Sequence, residues 1–94
     1  MQEDRALDYY MQRFLRRYEM GELATQMKVE RVYRALVGDL ISRLTTSILF
    51  SDGTLRLRVL SAALRQELTL RRESLRTRIN DELGNESVKK ITIR

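Results

Sequence analysis

Hydrophobic positions recur with a helical period in the first half of the chain and with a strand period on both sides of a long helical stretch in the second half. Between Asp4 and Tyr18, Leu7, Met11, Phe14 and Tyr18 return at spacings of three and four, with Tyr10 and Leu15 widening the stripe. This predicts a helix over about 4–18. Gly21 reads as a break, after which Leu23, Met27, Val29, Val32, Tyr33, Leu36, Val37, Leu40 and Leu44 predict a second helix over about 22–44, kinked or interrupted near Gly38. The apolar surface of this helix is broad, which places it at the centre of the core.

The run TTSILFS from Thr45 to Ser51 is rich in β-branched and aromatic residues, and it leads into Asp52-Gly53, the dipeptide that a two-residue type I′ turn prefers. A hairpin over 45–60 is predicted. Its second strand places Leu55, Leu57 and Val59 on one face and Arg56 and Arg58 on the other, while Ile48 and Phe50 inward leave Leu49 outward. Ser61 suits a helix N-cap and Gly84 a left-handed C-cap. Between them Leu64, Leu68, Leu75, Ile79 and Leu83 fall within a sector of roughly 100° on a helical wheel, so one long helix over 61–83 is expected. The closing SVKKITIR sets Ile91 and Ile93 against Lys90, Thr92 and Arg94 and predicts a third strand over 87–94 with a basic outer face.

The order ααββαβ implies one domain spanning 1–94, a two-layer α+β, KH-like arrangement with a three-stranded sheet and helices packed on one face. The helix between the second and third strands should return the chain so that those strands run in the same direction, by a right-handed crossover if they share a parallel sheet. The pattern leaves open which strand the third one pairs with.

Ninety-four residues support one modest core. The absence of Cys and His excludes a disulfide, a thiolate nucleophile, an imidazole base and the usual zinc, haem and iron–sulfur sites, so no cofactor or metal is expected. Apolar runs are too short for a membrane span or a secretory signal, which makes a cytoplasmic location the expectation. Asp81-Glu82 is an adjacent pair at a helix end, Asp39 and Asp52 sit at breaks and turns, and the four glycines form no phosphate-cradling loop. No catalytic residue and no enzymatic activity are expected.

Charge changes the picture. The chain carries +5 at pH 7, and Arg56, Arg58, Arg65, Arg71, Arg72, Arg76 and Arg78 face only Glu67 and Glu73 between residues 55 and 78, while the segments on either side are balanced. The asymmetry points to an anionic partner. Arg56, Arg58, Lys90 and Arg94 should form a strip on the exposed sheet face that tracks a nucleic-acid backbone, unless it serves only to keep the sheet soluble. No aromatic side chain is expected on that face, so sequence-specific stacking of bases is not. Along the helix, Arg71 is expected to pair with Glu67 and Arg78 with Glu82, whereas Arg65, Arg72 and Arg76 are expected to form an unpaired row for a partner or phosphate. The alternative is that their stems lie along the core edge with the heads in water or on acids of other helices.

The segments VYRALVGDLISRLT, SDGTLRLRVLSAALRQELTLRRESLRTRINDEL and VKKITIR resemble the DciA family. The shared pattern is an aromatic residue five positions before a Gly near a helix end, a hairpin of the form G-x-L-x-[VL]-x-[VL], a Ser opening the next helix, L-R-x-E-L at Leu64, Arg65, Glu67 and Leu68, and a closing V-x-x-I strand. It covers about residues 28–94. Tyr33 stands where the pattern usually has Trp, and the chain resembles a short form without the basic C-terminal tail of longer members. The resemblance implies a KH-like fold and recruitment of the replicative helicase onto DNA in bacteria. The expected function is thus a non-enzymatic adaptor of bacterial DNA replication that contacts the helicase and has auxiliary, weak and nonspecific affinity for DNA. One alternative is an RNA-binding or ribosome-associated KH-like module, against which the missing G-x-x-G loop counts. Another is a self-associating structural domain, a homodimer formed through a sheet edge or the Tyr9 and Tyr18 surface. Recovery of helicase, of ribosomal proteins or of neither with the tagged chain separates the three.

Overall fold

The structure, a computed structural model, describes residues 20–94; the helix expected over 4–18 lies outside the described residues. The described elements are α1 (Met20–Leu44), β1 (Thr45–Ser51), β2 (Thr54–Val59), α2 (Ala62–Leu70), α3 (Arg72–Leu83) and β3 (Lys90–Ile93). This is the expected α+β arrangement, with helices packed on a three-stranded sheet.

Helix α1 begins at Met20, so Gly21 lies in its first turn and is not a break. The interruption falls at Gly38, whose backbone (φ 85°, ψ 174°) leaves the helical region for one that side chains with a Cβ rarely adopt. Side chains tie the two pieces together. Arg34 Nη1 donates to both the carbonyl and the Oγ of Ser42 at 2.8 Å, and its guanidinium also lies 3.4 Å from Glu30. Thr45 Oγ1 donates to the Ile41 carbonyl at 2.7 Å, so its single proton is committed and the fully buried Tyr33 must be the donor in the 2.9 Å bond between their hydroxyls.

The sheet order is β1-β2-β3, antiparallel then parallel. Asp52 (φ 52°) and Gly53 (φ 78°) supply the two positive φ angles of a type I′ turn. A side chain at Gly53 would also press on Lys89, whose Cγ lies 3.0 Å from an ideal Cβ. Strand β3 is shorter than the expected 87–94, because Val88 is engaged elsewhere: Asn80, buried on α3, donates to the Val88 carbonyl and accepts from the Val88 N–H, both at 2.9 Å. A side-chain amide thereby makes the paired bonds that a neighbouring strand residue would make. At the other end Arg94 prolongs the pairing, its N–H donating to the Leu57 carbonyl at 2.9 Å and its carbonyl accepting from Val59 at 2.8 Å.

The expected long helix is two helices. Arg71 (φ −102°, ψ 13°) separates α2 from α3 with neither Gly nor Pro to mark the place. The halves then have different partners: α2 packs on β2 and β3, and α3 on α1 and β3. Ser61 Oγ accepts from Leu64 N–H at 3.3 Å and Gly84 closes α3 at φ 75°, as expected of a cap at each end. The core joins Leu68, Leu75, Ile79 and Leu83 to Leu55, Leu57, Val59 and Ile91, with Val29 and Tyr33 from α1, Ile48 from β1 and Val88; Leu64 and Ile93 are half-buried against it.

Leu68, 5% exposed, should on replacement by Ala cost about 2–5 kcal/mol, read as a lowered urea midpoint. Asn80→Ala should cost about 1–3 kcal/mol for each of the two Val88 groups left unpaired and should speed amide exchange of Val88. Tyr33 has its pKa raised, first by burial, with the Thr45 bond and Arg34 opposing. The folded state therefore holds this proton more tightly than the unfolded state does. That contribution to stability is complete below the ordinary tyrosine value of 10.0 and is lost as pH rises through the folded-state value. Tyr33→Phe should remove this loss above pH 10.0 relative to the parent chain, visible as a change in the alkaline slope of stability against pH.

Candidate nucleic-acid interface

Strand side chains alternate, so burying Leu55, Leu57 and Val59 sends Thr54, Arg56 and Arg58 to the opposite face of the central strand. The register then fixes their neighbours. Arg56 lies between Leu49 of β1 and Thr92 of β3; Thr54 lies between Ser51 and Lys90. Arg58 lies beside Ser47, and the Arg94 backbone bonds to Leu57 and Val59 place Arg94 across from it on the other side. The outer face is therefore three rows of three, formed by hydroxyl groups, four cations and one leucine. Arg56, Arg58, Lys90 and Arg94 are all exposed, and none makes an ion pair among the described residues. Neighbouring strands lie about 4.8 Å apart and alternate residues about 6.7 Å apart, so the four charges occupy a patch on the scale of a few nucleotides. The strip expected from the sequence is brought together by the fold.

The expected row of Arg65, Arg72 and Arg76 is not. Arg76 is paired, its Nε 3.1 Å from Glu73 one turn earlier, with Nη1 3.9 Å from Glu86 and 3.5 Å from the Val88 carbonyl. A glutamate at i−3 was available in the sequence, and the loop leading to β3 adds a second acid that helical spacing could not supply. Arg72 is exposed beyond the break at Arg71, which separates it from Arg65. Arg65 turns to the sheet, with Nη1 donating to the Val59 carbonyl at 2.8 Å. Arg71 pairs with Glu67 at 2.9 Å as expected, whereas Arg78 forms no pair with Glu82 within 4.0 Å.

A face of this kind can hold an anion by point charges and hydroxyl donors without reading its sequence. Among the described residues Leu49, 57% exposed, is its sole large apolar side chain, and no aromatic ring stands on it to stack a base. Among the described residues no group of three or more acids could hold a metal ion, and no helix is long and apolar enough to cross a membrane.

Sequence reasoning missed Asn80 and Gln26. Gln26 of α1 donates to the Ile48 carbonyl at 2.9 Å and accepts from the Phe50 N–H at 2.6 Å, the pattern of a parallel strand residue facing Leu49. Neither residue belongs to an apolar period, and each pairs with backbone 8 to 24 positions away, so no local signal announces them.

A comparison with curated proteins finds no match. A family model described as "Dna[CI] antecedent, DciA" matches residues 6–93, extending the similarity seen over 28–94 through almost the whole chain. With this match, and with the α+β fold that the same segments build, the chain belongs to the DciA family.

Proposed function

We propose that this protein is a non-enzymatic adaptor of bacterial DNA replication that contacts the replicative helicase and holds DNA weakly through its exposed sheet face. The family match over residues 6–93 carries the helicase part of this reading. Support for the DNA part comes from the outer face, where Arg56, Arg58, Lys90 and Arg94 stand on two adjacent strands with no acid paired to them among the described residues. Contacts of this kind go to phosphate and give affinity without sequence preference. The face is built on a rigid sheet, so binding requires ordering only of exposed arginine and lysine side chains. The same fold without a G-x-x-G loop lacks the backbone clamp by which ordinary KH domains grip RNA.

Two measurements test the two parts separately. Immobilised protein should capture the purified cognate helicase; failure of the unmodified chain to do so would overturn the adaptor reading. Fluorescence anisotropy with duplex DNA of unrelated sequences should give similar affinities that fall with salt, at a slope of about −0.9 for each phosphate neutralised. Arg56→Glu with Arg58→Glu should flatten that slope by about 1.8 and leave the melting midpoint nearly unchanged, since both side chains are exposed. An unaltered slope would mean that the sheet face is a solvated surface only, and a marked preference for RNA over DNA would favour an RNA-binding module.

A further inference from the structure

Arg65 leaves the expected helix row to bond the end of the central strand, and we infer that Arg58, Arg65 and Arg94 form one site for a backbone phosphate where a nucleic-acid strand leaves the end of the sheet. This deepens the DNA-binding reading above and rests on it. The three arginines meet around the last residue of β2. Arg58 precedes Val59 and projects to the outer face; Arg94 binds the Val59 N–H with its carbonyl and sits across from Arg58; Arg65 Nη1 holds the Val59 carbonyl at 2.8 Å. In a parallel pair the N–H and C=O of one residue point to the same side, so the Val59 carbonyl faces the β3 side. Arg65 therefore stands at the end of the β3 line, next after Arg94.

Among the described residues no acidic side chain pairs with this corner. Arg58, Arg65 and Arg94 make no ion pair among the described residues, whereas Arg34 and Arg71 each have one and Arg76 has two. No acid occurs in Thr45–Ser51, in Thr54–Gln66 or in Lys89–Arg94, the segments that build the corner. Three like charges around one residue repel one another, and a bound anion relieves that repulsion. Arg65 is also held in place. One of its five N–H donors is fixed on Val59 and its stem is half-buried, so the remaining donors are presented with little further ordering. The adjoining cations Arg56 and Lys90 lie along the same face, which gives a strand of phosphates a continuous path into the corner. A chain of phosphates fits this arrangement better than an isolated anion does, because the cations continue in a line beyond the corner.

The test is anisotropy with labelled oligo-dT on the intact chain at low salt. Arg58→Gln, Arg65→Gln and Arg94→Gln should each weaken binding by about tenfold, the size of one charge-assisted hydrogen bond, and reduce the salt slope by about 0.7. Arg72→Gln, exposed beyond the helix break, should change affinity by less than about twofold if the corner is a site and not part of a diffuse field. The Arg58 and Arg65 substitutions combined should lose less than the product of the single losses, as expected of groups sharing one phosphate. Should Arg65→Gln unfold the chain, the Arg58 and Arg94 pair of exposed side chains makes the same double-mutant test. Equal losses from Arg65 and Arg72, or strict additivity, would overturn the site. Saturation of the corner by inorganic phosphate alone, as tightly as by the oligonucleotide, would overturn the nucleic-acid assignment. Helicase capture on the same variants keeps the readings apart: capture retained while none of the three substitutions affects DNA binding overturns the corner and leaves the adaptor reading standing.

Discussion

Everything in this structure depends on the central strand, because β2 is paired on both edges and buried on one face only. Leu55, Leu57 and Val59 are drawn into the core by the apolar surface of α1, α2 and α3. Alternation leaves Arg56 and Arg58 no choice but the opposite face. A one-residue shift of β2 against its neighbours would turn Arg56 and Arg58 into the core, at a cost far beyond what a core of this size returns. The same hydrophobic constraint thus fixes the register and aims the charges. The placement of these cations is a consequence of the core, since no separate element is needed to build the face.

Around that strand, polar side chains complete backbone pairing where regular structure stops. Gln26 covers the middle of the β1 edge and Asn80 holds Val88 just before β3 begins. Arg65 occupies the Val59 carbonyl just past the point where β3 has ended. Each supplies bonds that a further strand residue would have made, and buried backbone groups left without partners would be costly. These contacts come from α1, α3 and α2 respectively, so each helix is docked on the sheet by directional bonds as well as by apolar packing. No buried side-chain polar atom among the described residues lacks a partner.

The break at Arg71 redistributes the basic surface. A continuous helix would have kept Arg65, Arg72 and Arg76 along one edge, as the wheel predicts. With the two halves packed against different elements, Arg65 joins the end of the sheet, Arg72 faces solvent, and Arg76 is neutralised by Glu73 and Glu86. The sheet face thus carries four cations with no ion pair among the described residues, whereas the stretch 62–83 sets five arginines against four acids.

Features that depend on neighbours within a turn or a pleat are readable along the chain. The alternation of β2, the Asp52-Gly53 turn, the Ser61 and Gly84 caps, the interruption at Gly38 and the outward strip of Arg56, Arg58, Lys90 and Arg94 were all legible, because period and φ preference are local properties. The family pattern was legible too, through L-R-x-E-L after the hairpin. Only the tertiary structure decided that β3 pairs with β2 and not β1, that the long helix divides at Arg71, and that Asn80, Gln26 and Arg65 take backbone partners on distant strands. These outcomes turn on which free carbonyl or N–H lies within about 3 Å of a side chain once the layers have packed, and no spacing along the chain encodes that distance.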